Sequence, residues 1–217
     1  MQINNDTVIV FDLDDTIFKE IDFVKSAYAE ISRIVELQIG VTIYDELFNL
    51  FLEKKPVFDI ILTKYNFKLN LKDLIDIYRY HFPKIEPVPD VINFINKYKN
   101  IAKGFAVITD GRSVTQRNKL KSLKLLEIFN ENIYISEELG KTKLDEYSFN
   151  SLSLKFGISN FIYFADNLSK DFVMPNKYGW KTIQILDEER NIHKFNTRFD
   201  IQYQPEITIK YQDLNQF

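Results

Sequence analysis

Near its start the chain reads Thr7-Val-Ile-Val-Phe11-Asp12-Leu-Asp14-Asp15-Thr16, an apolar and β-branched run that breaks into three aspartates and a threonine. A short run that is apolar throughout reads as a strand buried on both faces of a parallel sheet. In an extended segment residues two apart point the same way, so Asp12 and Asp14 share one side. Three further runs follow the same plan. They are Gly104-Phe-Ala-Val-Ile108 before Thr109-Asp110-Gly111, Asn160-Phe-Ile-Tyr-Phe164 before Asp166-Asn167, and Lys181-Thr-Ile-Gln-Ile-Leu186. Stretches with helical spacing separate them: Val91 to Tyr98, Val114 to Leu123, and Tyr147 to Phe156, the last closed by Gly157. Strands alternating with helices predict an α/β fold, a Rossmann-like parallel sheet flanked by helices.

Between Thr16 and Pro87 the pattern changes. Phe23, Ala27, Ile31, Ile34 and Val35 fall at helical spacing, and Leu71, Leu74, Ile75 and Tyr78 repeat it after an N-cap at Asn70. At most a short strand is expected there, around Val41 to Tyr44. Glu86-Pro-Val-Pro89 marks the return. The expected organisation is therefore a core of residues 1–16 and 88–217, with residues 17–87 as a helical insertion after the first strand.

Composition narrows the chemistry. The 217 residues carry 28 Lys+Arg against 31 Asp+Glu, a formal net charge of -3, which gives no general attraction to nucleic acid or to an anionic membrane. There is no cysteine, which removes disulfides, thiolate zinc sites, iron–sulfur clusters and cysteine nucleophiles. Only His81 and His193 are present, so a histidine-rich metal site is excluded too. No stretch reaches the roughly 18 apolar residues of a membrane span. The polar Met1 to Asp6 does not read as a signal peptide, so a cytoplasmic location is expected. The remaining chemistry rests on carboxylates, hydroxyls, lysine and backbone amides.

In an open parallel sheet, ligands bind beyond the carboxyl ends of the strands. Asp12, Asp14 and Thr16, then Thr109, Asp110 and Gly111, then Asp166 and Asn167 should therefore meet in one crevice. Three acids and a hydroxyl make an oxygen-rich site suited to a hard cation, with Mg²⁺ favoured over a transition metal. An Asp-x-Asp pair alone means nothing, and capping of the next helix by Asp14 or Asp15 is the ordinary alternative. Demanding four apolar residues before the pair and a threonine after it makes chance occurrence roughly a hundred- to thousand-fold rarer.

With those residues in view the sequence resembles the haloacid dehalogenase superfamily of phosphohydrolases over nearly its whole length. The first motif appears as Val8-Ile-Val-Phe-Asp12-Leu-Asp14-Asp-Thr16 and the second as Ala106-Val-Ile-Thr109-Asp-Gly111. The third resembles Gly140-Lys-Thr-Lys143-Leu-Asp145, and the fourth Tyr163-Phe-Ala-Asp166-Asn-Leu-Ser-Lys-Asp171. The stretch from Ile108 through Gln116 and Lys119 to Leu120, followed by Ile135 to Gly140, is similar to the branch containing pyrimidine 5′-nucleotidases and N-acylneuraminate-9-phosphatases, and the resemblance implies that residues 17–87 are the helical cap this branch carries after its first strand. Asp15 stands where many members carry glycine, Leu144 replaces a usual proline, and Ala165 a usual glycine.

The resemblance implies roles position by position. Asp12 is the nucleophile that forms an aspartyl-phosphate, and Asp14 is general acid, then base. Thr109, Asp110 and Gly111 bind phosphoryl oxygens with their hydroxyl and amides, and Lys143 neutralises charge. Asp12, the carbonyl of Asp14, and Asp166 hold Mg²⁺, while Thr16, Asn167 and Asp171 support them. The implied activity is hydrolysis of a small phosphorylated metabolite, a sugar phosphate or a nucleoside monophosphate, by a monomer or homodimer. A phospho-receiver signalling domain, or an inactive binding module, is the competing class. Receivers are shorter, with no insertion after the first strand.

Lys141 competes with Lys143, and the Gly-x-x-Lys-x-Asp spacing favours Lys143. From the insertion, Arg79 and His81 near the return are the better candidates to meet the leaving group, ahead of Arg33, Lys54 and Lys55. Ser113 and Gln116 read as a capping box, and Lys119 to Lys124 as the wet face of a helix. His193 reads as surface in a polar turn.

Overall fold

The computed structural model describes residues 2–187, 190–192 and 200–217, so His193 lies outside the described residues. The chain begins with β1 (Thr7–Phe11) and four helices, α1 (Glu20–Ile39), α2 (Tyr44–Leu52), α3 (Val57–Lys64) and α4 (Leu71–Tyr80). Next come α5 (Pro89–Tyr98), β2 (Gly104–Thr109), α6 (Ser113–Ser122), α7 (Leu126–Phe129), β3 (Ile133–Ile135) and α8 (Ser136–Leu139). It continues with α9 (Tyr147–Phe156), β4 (Asn160–Ala165), α10 (Val173–Lys177), β5 (Lys181–Ile185) and β6 (Ile207–Ile209).

The strands form one parallel sheet in the order β3-β2-β1-β4-β5-β6. The chain works outward from β1 to β3, then crosses back to β4 on the other side of β1. Strand order therefore reverses between β1 and β4, and a crevice opens there beyond their carboxyl ends.

The strands lack polar alternation because both faces are covered. Ile9 and Phe11 join Val107, Ile162 and Phe164 beneath α5 and Leu214, while Val8 and Val10 join Ala106, Tyr163, Phe149 and Trp180 on the other face. Phe11 stacks on Phe164 at 5.1 Å and meets Phe94 edge-on at 6.2 Å. Burying each such ring contributes about 1.5–3 kcal/mol.

The four inserted helices close a separate apolar cluster around Val24, Tyr28, Ile31, Val35, Leu47, Ile61 and Leu74. Asn70 and Asp73 form the capping box that starts α4. At the return, the Val88 N–H donates to the Ile17 carbonyl at 2.8 Å, so the outgoing and returning connections lie side by side.

Val41 to Tyr44 is not a strand. Gly40 ends α1 in the left-handed region (φ 70°), and buried Ile43 leads into α2 with its N–H donating to Ser32 Oγ at 2.9 Å. Strands β3 and β6 are additions to the four expected runs, each only three residues long. Among the described residues no helix is long and apolar enough to cross a membrane.

Candidate active site

Residues that end β1, β2 and β4 converge on the crevice. The Asp12 N–H donates to the Phe164 carbonyl at 2.8 Å, which levels the ends of β1 and β4. Asp15 then takes a left-handed conformation (φ 54°), the reason glycine is at home at this position. Aspartate tolerates it because its own carboxylate is tied down, Oδ1 by the Glu20 N–H and Oδ2 by the Ile192 N–H, both at 2.9 Å. Lys19 holds the N-cap position of α1 without a side-chain bond, and it is Asp15 Oδ1 that takes the helix's first N–H, that of Glu20, so the capping alternative holds in part for Asp15 while Asp14 is turned to α6.

Asp12, Asp166 and Asp171 each place a carboxylate oxygen within 4.8 Å of the others, and all three are buried. Lys143, 1% exposed, sets its Nζ 2.5 Å from Asp12 Oδ1 and 2.9 Å from Asp171 Oδ1. The second oxygen of Asp171 accepts from the Asn167 N–H at 2.9 Å, and Asn167 turns its own Oδ1 to the Ser169 N–H and hydroxyl. Asn191 donates to Asp166 Oδ2 at 3.3 Å. Thr16 is fully buried, and its hydroxyl has no hydrogen-bond partner among the described residues.

Charge does not balance in this pocket. Burial pushes the Asp12 carboxyl up to about 7, against the pull of Lys143. Burial, then Asp171 and Asp12, hold Asp166 well above the usual carboxylate range. Burial lowers Lys143, but Asp12 and Asp171 override it and hold the ammonium well above its ordinary value. Three buried carboxylates against buried Lys143 and the more exposed Lys170 leave negative charge in excess. An all-oxygen donor set with that excess fits a hard divalent cation such as Mg²⁺.

On the other side of the crevice, Thr109 Oγ1 accepts from Gln116 Nε2 at 2.6 Å. The carboxylate of Asp110 faces the lysine loop, accepting from the Lys143 N–H at 3.1 Å and Lys170 Nζ at 3.3 Å. The Gly111 N–H donates to Ser136 Oγ at 2.9 Å. Gly111 (φ 151°) has no room for a side chain, since a Cβ there would lie 2.9 Å from Gln116 Cδ. Asp14 accepts from Lys119 Nζ at 2.6 Å on Oδ1 and from Gln116 Nε2 at 2.8 Å on Oδ2. Burial pushes Asp14 up, but the charge and hydrogen bond of Lys119 and the bond from Gln116 leave it below its ordinary value.

Several expectations for side chains change. Lys119 is not on a wet face: it is 3% exposed and turned onto Asp14, with its ammonium 4.4 Å from the Phe23 ring centre. The Ser113–Gln116 capping box does not form. Glu137 instead accepts from the Ser113 N–H at 2.8 Å, and the Gln116 side chain is drawn inward by Thr109 and Asp14. Lys141 is half exposed and pairs with Asp145, so Lys143 alone of the two reaches Asp12. Both ring nitrogens of His81 are engaged within the insertion, with the Tyr78 carbonyl at 2.9 Å and Ser26 Oγ at 3.2 Å. His81 lines a groove of about 480 Å³ with Lys25, Arg33 and Glu86. The Arg79 carbonyl accepts from Thr115 Oγ1 at 2.8 Å.

Sequence reasoning gave Gln116 and Lys119 other roles and passed over Lys170 and Glu20. Glu20 lies beside the Asp14–Lys119 pair, where burial and then Asp14 push its carboxyl up to about 7. One signal was available. The stretch forming α6, Ser-Val-Thr-Gln-Arg-Asn-Lys-Leu-Lys-Ser, has only Val114 and Leu120 as apolar residues, so a helix packed there must bury polar side chains.

Comparison with known proteins points the same way. The profile of the family described as haloacid dehalogenase-like hydrolase matches residues 9–185. A glyceraldehyde 3-phosphate phosphatase of Methanocaldococcus jannaschii is 24% identical over 192 residues, covering 82% of this chain and 84% of that protein. The enzyme of the same name from Methanopyrus kandleri is 25% identical over 195 residues, covering 82% of each chain. Among solved structures, the HAD-hydrolase YfnB of Bacillus subtilis, determined with magnesium bound, superposes with a TM-score of 0.64 at 19% identity, covering 98% of both chains.

Proposed function

The chain belongs to the haloacid dehalogenase-like hydrolase family, and from that premise we propose that it is a Mg²⁺-dependent phosphatase of small sugar phosphates, working through an aspartyl-phosphate on Asp12. The observation that carries this reading is the buried contact of Lys143 with Asp12 and Asp171 beside Asp166, at the point where strand order reverses. Asp12 and Asp166, with Asp171 beside them and the Asp14 carbonyl, would hold the cation. When bound, it supplies positive charge that offsets repulsion between a phosphate dianion and a carboxylate nucleophile.

The chain's own residues do the rest. Asp12 attacks phosphorus, Lys143 neutralises charge on the equatorial oxygens, and Thr109 with the amides near it orients them. Asp14 protonates the departing alcohol and then takes a proton from the attacking water. At rest Asp14 is ionised, but a bound phosphate adds like charge beside it and displaces water. Both push the carboxyl toward the protonated form an acid requires.

Residues 17–87 act as a cap that selects the leaving group and excludes water. The sugar-phosphate preference is supported by the names of the two archaeal relatives. Nucleoside monophosphates take second place.

Phosphate release from p-nitrophenyl phosphate, glyceraldehyde 3-phosphate and a panel of sugar phosphates and nucleotides, with and without Mg²⁺, tests the reading. Turnover of sugar phosphates only with the metal is expected, and no release from any ester would refute it. Thr109→Ala should lower turnover roughly 10²-fold, as for loss of one preorganised donor, and an unchanged rate would contradict its role.

Metal binding should also register in stability. A carboxyl held near 7 when folded binds a proton the unfolded chain has lost, so the metal-free protein loses stability as pH rises from about 4 to about 7. Mg²⁺ offsets the cost of the buried charge on Asp12 but competes with the proton at pH values below about 7. At a hundred-fold excess over Kd a ligand of the folded state contributes about 2.7 kcal/mol, roughly 5–10 °C in Tm. Thermal melts should show that rise at pH 7.5 and a much smaller one at pH 5.5. Equal shifts at both values, or none, would contradict the metal assignment.

A further inference from the structure

Helix α6 is built unlike its neighbours. It buries Thr115, Gln116, Lys119 and Leu120, so three of its four buried side chains are polar. A buried lysine is costly unless it is paired. Lys119 spends its charge on Asp14 Oδ1 at 2.6 Å, with the Phe23 and Phe18 rings 4.4 and 5.6 Å from its ammonium. One turn earlier, Gln116 Nε2 takes Asp14 Oδ2 at 2.8 Å and Thr109 Oγ1 at 2.6 Å. Each oxygen of Asp14 thus has its own donor from one helix, and the same amide ties Asp14 to the threonine at the end of β2.

The helix is itself fixed on both flanks. Thr115 Oγ1 donates to the Arg79 carbonyl at 2.8 Å and Ser122 Oγ to the Pro83 carbonyl at 2.6 Å. On the far side Arg117 forks onto Glu138 at 2.5 and 2.7 Å. Donors mounted on so constrained a helix hold a carboxylate in one place rather than following it.

We propose that Gln116 and Lys119 are positioning residues for the acid step, clamping Asp14 so that the position on its carboxyl which they leave open, the one that carries the proton, faces the leaving oxygen. The inference rests on the phosphatase reading and deepens it. In that step the bond between Asp12 and phosphorus forms as the bond to the leaving oxygen breaks. The leaving oxygen takes the electron pair and the proton of Asp14, and the resulting carboxylate is received by Lys119 and Gln116.

The test uses the dependence of rate on the leaving group. A p-nitrophenolate departs without a proton, whereas the alkoxide of glycerol 3-phosphate needs one. kcat/KM reads the reaction up to departure of that group, so the ratio of the alkyl to the aryl value isolates the acid. General acid catalysis contributes 10²- to 10⁴-fold, so Asp14→Asn should lower the ratio by at least about 10²-fold. Lys119→Met should lower it by roughly 10- to 100-fold, Lys119→Arg should restore part of it, and the double variant should fall no further than Asp14→Asn alone. Both esters are read on one sample, so partial misfolding cancels from the ratio. A ratio that falls in Asp14→Asn but not in Lys119→Met overturns the clamp. A ratio unchanged in Asp14→Asn removes the acid role, and the clamp with it.

Discussion

Asp12→Asn is expected to abolish phosphate release, lowering turnover by on the order of 10⁴-fold or more, because an amide cannot attack phosphorus in place of a carboxylate. The geometry makes this a clean test. Lys143 loses one charged partner but keeps Asp171 Oδ1 at 2.9 Å, so its ammonium stays paired. Asparagine also removes a carboxylate that burial holds at about 7, a charge that costs the metal-free fold stability above neutral pH. Tm without metal at pH 7.5 should therefore equal or exceed that of the native chain while activity vanishes. Native turnover in the variant, measured with Mg²⁺ and glyceraldehyde 3-phosphate, would sink the nucleophile assignment. Loss of activity accompanied by unfolding would contradict the charge argument.

Lys143→Met is expected to cost both function and stability. Its ammonium reaches Asp12 and Asp171 inside the pocket, with both carboxylates buried. Removing one member of a buried ionic cluster costs about 3–5 kcal/mol, since the charges left behind stay desolvated. For a chain of this length that is a fall of about 10–15 °C in Tm. Turnover should drop by roughly 10³-fold, since the cation also faces the charge that builds on the phosphoryl group. The stability loss should be largest without metal at pH 7.5, and smaller at pH 5.5, where protonation of Asp12 removes part of the repulsion. A variant that melts like the native protein at pH 7.5 would show that the cluster is balanced without Lys143.

The contrast between Lys143 and Lys119 shows what sequence can disclose. The four long strands were legible because burial on both faces forces nearly continuous apolar runs, and Asp12, Thr109 and Asp166 were legible because they end those runs. Lys143 stood out through its spacing from Gly140 and Asp145. Lys119 was hidden, since a lysine's default partner is water and its real one, Asp14, lies 105 residues away in the chain. Only the parallel pairing of β1 with β2 brings α6 over the first motif. Gln116 misled for a related reason: its spacing from Ser113 suits a local cap, but its Nε2 donates to Thr109 and Asp14, and the Ser113 N–H is taken by Glu137 from another segment. Strands β3 and β6 escaped because three residues carry no readable period.

The proposed mechanism passes through a covalent phosphoryl group on one aspartate. Rapid acid quench of the enzyme with a radiolabelled phosphate ester and Mg²⁺, followed by peptide mapping, measures it directly. The label is expected on the peptide containing Asp12, released by hydroxylamine as an acyl phosphate is, and absent from Asp12→Asn. Phosphate release with no labelled protein, or with label on another peptide, would rule out Asp12 as the nucleophile.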